Sequence, residues 1–212
     1  MVCHDFILPE GCKPCLLLSS FQFCETYSTL SAHLVPYLTT TIEDTGIEVG
    51  LDQRLCPDDF AAIKVDDYYA GLKISTPPKA VDFVVIVDCQ CDSFSMYILE
   101  LKNVNGPGKL NIVDIQEKFS NTINLFLSNT FSYIFLNDRF KYKEIKMYLV
   151  SDAYGEAGNF ANHSEYLRFR DKVNKKDTLK VDMSLSEKLY RFRGKILKIE
   201  YDIPPNPIIT RL

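Results

Sequence analysis

Two apolar, β-branched segments, Ala80–Asp88 (AVDFVVIVD) and Met96–Lys102 (MYILELK), flank a short polar stretch, Cys89-Gln90-Cys91-Asp92-Ser93. The pattern predicts a β-hairpin with a loop somewhat longer than the tightest kind. A bland hairpin buried on both faces would contain no ionisable side chains, because an unpaired buried charge is costly. This one contains three, Asp82, Glu100 and Lys102. With the hairpin centred near Cys91, Asp82 lies directly across from Glu100. Lys102 shares their face, because strand side chains repeat every two residues. A register slipped by one residue would send Asp82 to the other face.

The surrounding segments set the expected fold. Phe23, Tyr27, Leu30, Leu34 and Leu38 recur at helical spacing, so Ser20–Leu38 reads as a helix, with Pro36 kinking or ending its last turn. Gly46–Leu51 reads as a short strand, Pro57-Asp58-Asp59 as a helix start and Tyr68–Ile74 as another strand. After the hairpin, Asn103–Gly108 breaks the strand. A helix is expected over Ile112–Ser128, with Ile112, Ile115, Phe119, Ile123 and Phe126 on one face. Strands are expected at Ser132–Leu136 and Glu144–Val150, a basic helical stretch around Glu165–Val173, and a closing strand at Lys195–Tyr201. This order predicts an α/β domain, a mixed β-sheet flanked by α-helices. The expectation is one domain over 1–212, with a core at about 20–150 and a basic C-terminal addition at about 151–212.

Two carboxylates on one patch of sheet repel each other and raise one another's pKa unless a cation sits between them. A hard divalent ion such as Mg²⁺ relieves this with one or two carboxylates, a backbone carbonyl and several waters. The carbonyl of Leu101 is the third candidate ligand. Such an ion acidifies a bound water and neutralises charge on a phosphoryl group, and Lys102 is placed to orient the water or stabilise the transition state.

Asp82…Glu100-Leu101-Lys102, on an apolar hairpin between two helices, resembles the PD-(D/E)xK nuclease superfamily, which includes type II restriction endonucleases, Holliday-junction resolvases and repair nucleases. The resemblance covers about residues 20–150 and implies a restriction-endonuclease-like core. It also implies Asp82 and Glu100 as metal ligands, Lys102 as the catalytic lysine, and Mg²⁺ as cofactor with Mn²⁺ as a substitute. Val81 stands where many members have proline before the aspartate.

Supporting residues follow from position. Gln116 falls inside the apolar face of its helix and is a candidate for reaching the site or the substrate backbone; a satisfied buried amide is the competing reading. Asn103 and Asn105 lie just beyond the Glu100–Lys102 strand. Tyr166-Leu167-Arg168-Phe169-Arg170 and Tyr190-Arg191-Phe192-Arg193 interleave arginines with aromatics, which suits contacts to DNA, with Arg168 and Arg170 the named candidates. Glu25 reads as solvent-exposed, and His33 and His163 have no partners at ligand spacing.

Charge is unevenly spread. Residues 1–137 carry 8 Lys/Arg against 17 Asp/Glu, while residues 138–212 carry 16 against 11. An acidic front and a basic back suit a protein that holds cations in one place and a polyanion in another. Seven cysteines preclude a complete disulfide framework, so reduced thiols in a cytoplasmic setting are expected. Cys12-Lys13-Pro14-Cys15, near Cys3, His4 and Cys24, has zinc spacing but lacks a second knuckle, so structural zinc is not expected; Cys89 and Cys91 read as incidental. No apolar run is long enough for a membrane span, and Asp5 and Glu10 sit where a signal peptide carries positive charge.

The leading expectation is a Mg²⁺-dependent DNA endonuclease of the type II restriction class, cutting double-stranded DNA as a homodimer because one site cuts one strand. A structure-selective repair or junction-resolving nuclease shares the same site. A non-catalytic binding or assembly protein with a structural Asp82–Glu100–Lys102 cluster is the alternative of another class.

Overall fold

The computed structural model describes residues 41–56, 59–89, 93–155, 164–165, 168 and 178–211. The expected helix Ser20–Leu38, with Glu25 and His33, lies outside them. So do Cys3, His4, Cys12, Cys15, Cys24, Cys91, His163 and Arg170.

The expected hairpin is the centre of the molecule. Strand β4 (Phe83–Asp88) pairs antiparallel with β5 (Ser93–Lys102), with Phe83 opposite Leu99 and Val87 opposite Ser95. On the outer side of β4 lies β3 (Phe60–Lys64), also antiparallel. On the other side of β5 lie β6 (Lys141–Ser151) and then β9 (Ile199–Asp202), both parallel to their neighbours. The result is a mixed five-stranded sheet in the order β3-β4-β5-β6-β9, flanked by helices. Its fifth strand comes from residues 199–202, so the core extends well past the expected limit near 150. An isolated bridge between Leu51 and Ile209 ties the C-terminal tail to the β1–β2 unit as well.

Both sheet faces are covered, which is why β4 and β5 read as near-continuous apolar runs. One face carries Val84, Ile86, Met96, Ile98 and Leu149 against the helical layer. That layer contains α1 (Val65–Gly71), α2 (Ile112–Asn121), a nine-residue π-helical continuation (Thr122–Thr130), α3 (Ser132–Phe135) and α4 (Thr178–Ser186). Ile115, Phe119, Ile123 and Phe126 pack on the sheet, as their spacing requires. The Asn111 side chain caps α2 by accepting from the Asp114 N–H at 3.1 Å. The opposite face carries Phe83, Val85, Val87, Tyr97 and Leu99 under a small hairpin, β1 (Thr41–Asp44) with β2 (Ile47–Gly50), which contributes Ile42, Ile47 and Val49. A second hairpin, β7 (Tyr190–Phe192) with β8 (Lys195–Leu197), stands apart from the main sheet. Both hairpins turn through two successive residues of positive φ, Thr45-Gly46 and Arg193-Gly194, the geometry that two-residue turns demand.

Four local expectations are corrected. Pro57-Asp58-Asp59 does not open a helix: residues 57–58 lie outside the description, and Phe60 already begins β3. Tyr68–Ile74 is not a strand, because Tyr68 and Tyr69 belong to α1, where Asp66 and Asp67 occupy the first turn and the Tyr68 ring meets Phe126 and Phe131 edge-on. Ser132–Leu136 forms the short helix α3, with Phe135 against Phe126. In both places aromatic β-propensity yields to tertiary packing. Lys195–Tyr201 is interrupted at Lys198 into β8 and β9, which belong to different sheets.

Candidate functional site

The β4–β5 register, continued by one residue beyond Phe83–Leu99, sets Asp82 opposite Glu100. Asp82 is fixed at three atoms. Its backbone carbonyl accepts from the Val65 N–H at 3.0 Å, Oδ2 accepts from the Leu101 N–H at 2.6 Å, and Oδ1 lies 3.9 Å from the Lys118 ammonium. Glu100 has no exposure at all. Its Oε1 takes both lysines, Lys118 Nζ at 2.7 Å and Lys102 Nζ at 2.8 Å. Its Oε2 is buried with no hydrogen-bond partner. The lysine side chains are 31% exposed at Lys102 and 16% at Lys118, so the cluster meets solvent mainly on the Lys102 side.

Two carboxylates and two ammoniums balance in charge, yet not in geometry, because both cations crowd one oxygen. Burial, reinforced by the Glu100 carboxylate, pushes the Asp82 carboxyl up to about 7. Burial alone would lower Lys102, but Glu100 and Asp82 outweigh it and hold the ammonium above the usual lysine range. At the edge of the cluster, burial likewise raises Asp66, whose neighbours include Asp67, Asp44 and Lys118.

The donor set fits a hard divalent cation. Glu100 Oε2 is a buried, orphaned anionic oxygen, costly as it stands and relieved by a cation. Asp82 faces the same patch. Among the described residues no group of three or more His, Cys, Asp or Glu side chains converges, so the set is two carboxylates, the number Mg²⁺ commonly takes alongside waters.

Lys118 was not anticipated from the sequence. Its signal was an ammonium placed between Ile115 and Phe119, on the stripe that α2 turns toward the sheet. The expectation for Gln116 is corrected: its Nε2 donates to the Ser184 carbonyl at 2.8 Å, and its own carbonyl accepts from Tyr190 at 3.2 Å. Gln116 therefore ties α2 to α4 and to β7, and its neighbour two residues on meets the carboxylates. Leu101 contributes its N–H to Asp82, while its side chain packs in the opposite layer under the β1–β2 hairpin.

The remaining candidates are dispersed. Asn103 donates from Nδ2 to the Thr45 carbonyl at 3.0 Å, pinning the β1–β2 turn beside the end of β5, and Asn103 and Asn105 both line a cavity there. Arg168 is helical and exposed. Arg191 is exposed on β7, whereas Arg193 donates to the Phe140 carbonyl at 2.6 Å and lies over the Tyr142 ring, a packing role. Cys89 sits with its sulfur 3.2 Å from the Ser95 hydroxyl. Among the described residues no helix is long and apolar enough to cross a membrane. No protein-family model, curated protein or solved structure matches the chain.

Proposed function

We propose that the chain is a Mg²⁺-dependent endonuclease that hydrolyses phosphodiester bonds of double-stranded DNA, of the type II restriction class and with a restriction-endonuclease-like core. The observation that carries this reading is the buried Asp82–Glu100 pair on adjacent strands, with Glu100 Oε2 unpartnered and Lys102 at the solvent side. Asp82 and Glu100 would hold the metal, which when bound supplies an acidified water and charge neutralisation at the phosphate. Lys102 positions the attacking water and offsets charge building on the phosphoryl oxygens. Lys118 holds Glu100 in place and adds a second positive charge behind the reacting group. Water adds to phosphorus and the bond to the 3′ oxygen breaks, leaving a 5′-phosphate and a 3′-hydroxyl. Cutting both strands at one locus calls for two such sites, hence a homodimer.

One observation favours a second reading. Because both lysines already pair with Glu100, the cluster is also a self-sufficient salt-bridge network in a non-catalytic binding protein. Plasmid digestion with purified protein in Mg²⁺, beside EDTA and Asp82→Ala controls, separates the two. Discrete fragments lost in both controls are expected. Nicking or smearing with the same dependence moves the reading to a repair or junction-resolving nuclease. No cleavage of plasmid, junction or RNA substrates leaves the binding protein.

A further inference from the structure

The parallel strands β5, β6 and β9 end side by side at Lys102, Ser151 and Asp202, and the loops that leave them enclose a cavity of about 490 Å³. It begins one residue beyond Lys102. Its walls include Asn103, Asn105 and Gly106 after β5, and Asp152, Tyr154 and Gly155 after β6. Ser151, the register partner of Lys102, bridges the two sites: it shares the Lys102 face, is fully buried, and its Oγ has no hydrogen-bond partner.

We propose that this cavity seats a nucleobase of the cleaved strand, one bearing an exocyclic amino group, beside the scissile phosphate; the assignment rests on the hydrolase reading above. The volume lies within the range of small-molecule sites, roughly 300–1,000 Å³. No lysine or arginine lines it and Asp152 brings a carboxylate, so its chemistry turns away a phosphate and accepts neutral N–H donors. Side-chain amides and carboxylates are the groups that read base edges, Asn toward adenine and Asp toward the cytosine amino group. Thymine has a single ring N–H flanked by two carbonyl oxygens that a carboxylate repels. Tyr154 supplies an aromatic wall, its ring held edge-on against Tyr201 at 6.0 Å. The turns at Gly106 and Gly155 have φ of +112° and +68°, and a Cβ at either would project into open space. The Asn103–Thr45 bond braces the far wall, so Asn105 is the exposed amide left to meet a base.

The test is digestion of a duplex library randomised around its centre, and of its single-stranded form, with sequencing of the product ends. Ends that depend on Asp82 and show thymine depleted roughly tenfold at one position beside the cut are expected. Asn105→Ala or Asp152→Asn is expected to erase that depletion, which is read from composition and not from rate. Asp82-dependent ends with flat composition, or with a bias unchanged in both variants, overturn the base pocket and leave the hydrolase reading intact. An absence of ends from both library forms overturns the two together.

Discussion

At the residue scale, the chemistry turns on how Glu100 is neutralised. Its Oε1 is shared by Lys102 and Lys118 while Oε2 is unsatisfied, so the cluster is incomplete as an ion-pair network. Truncating Lys118 to Met leaves a buried carboxylate with one fewer partner, a loss expected to cost about 1–3 kcal/mol in urea unfolding. Replacing Glu100 by Leu in the same chain should restore much of that loss, because the stranded charge goes with it. Asp82 makes a prediction of opposite character. With its carboxyl raised from the ordinary 3.8 to about 7, the folded protein holds a proton that the unfolded chain has released across that interval. Stability of the metal-free protein should therefore fall as pH rises from about 4 to 7. Asp82→Asn should remove this slope, as urea midpoints at pH 5 and pH 8 would show.

At the element scale, the join between α2 and its π-helical continuation serves as a clamp on the entry to β4. Asn121 donates to the Lys79 carbonyl at 3.0 Å, and the buried Thr122 hydroxyl accepts from the Val81 N–H at 3.1 Å. Lys79 reaches back to Asp114 at 2.8 Å and Glu117 at 2.9 Å on the same helix. The peptide leading into Asp82 is thus fastened to the helix that brings Lys118. Thr122→Val should strand the Val81 N–H, costing about 1–2 kcal/mol in urea unfolding, while Thr122→Ser keeps the acceptor and most of the stability. If the site hydrolyses DNA, the Val variant should also lose cleavage rate in excess of its loss of folded protein, because Asp82 shifts against Lys118.

At the scale of the whole molecule, metal binding and folding are one equilibrium. A cation that binds the folded site and not the unfolded chain stabilises by about 2.7 kcal/mol at a hundredfold excess over its dissociation constant. Mg²⁺ or Mn²⁺ should raise the melting temperature of the chain, and Asp82→Asn should abolish the rise. This readout needs no substrate. Calorimetric silence toward both ions would favour the salt-bridge reading of the cluster.

The β4–β5 hairpin, its register and the convergence of Asp82, Glu100 and Lys102 were legible in the sequence, because two buried faces and a short loop leave a strand pair little freedom to slip. The apolar face of α2 was legible for a similar reason: its period is local. Tertiary structure alone decided that Tyr68 and Tyr69 fold into a helix, since the Phe126 and Phe131 rings that receive them lie far along the chain. It alone chose Lys118 over Gln116, because the two side chains differ only in which neighbouring element each meets. It also joined Ile199–Asp202 to the sheet and enclosed a cavity from the ends of three strands. Short-range pattern fixes what a segment buries. Only the closure of long loops determines which segments it is buried against, and so which charges end up face to face.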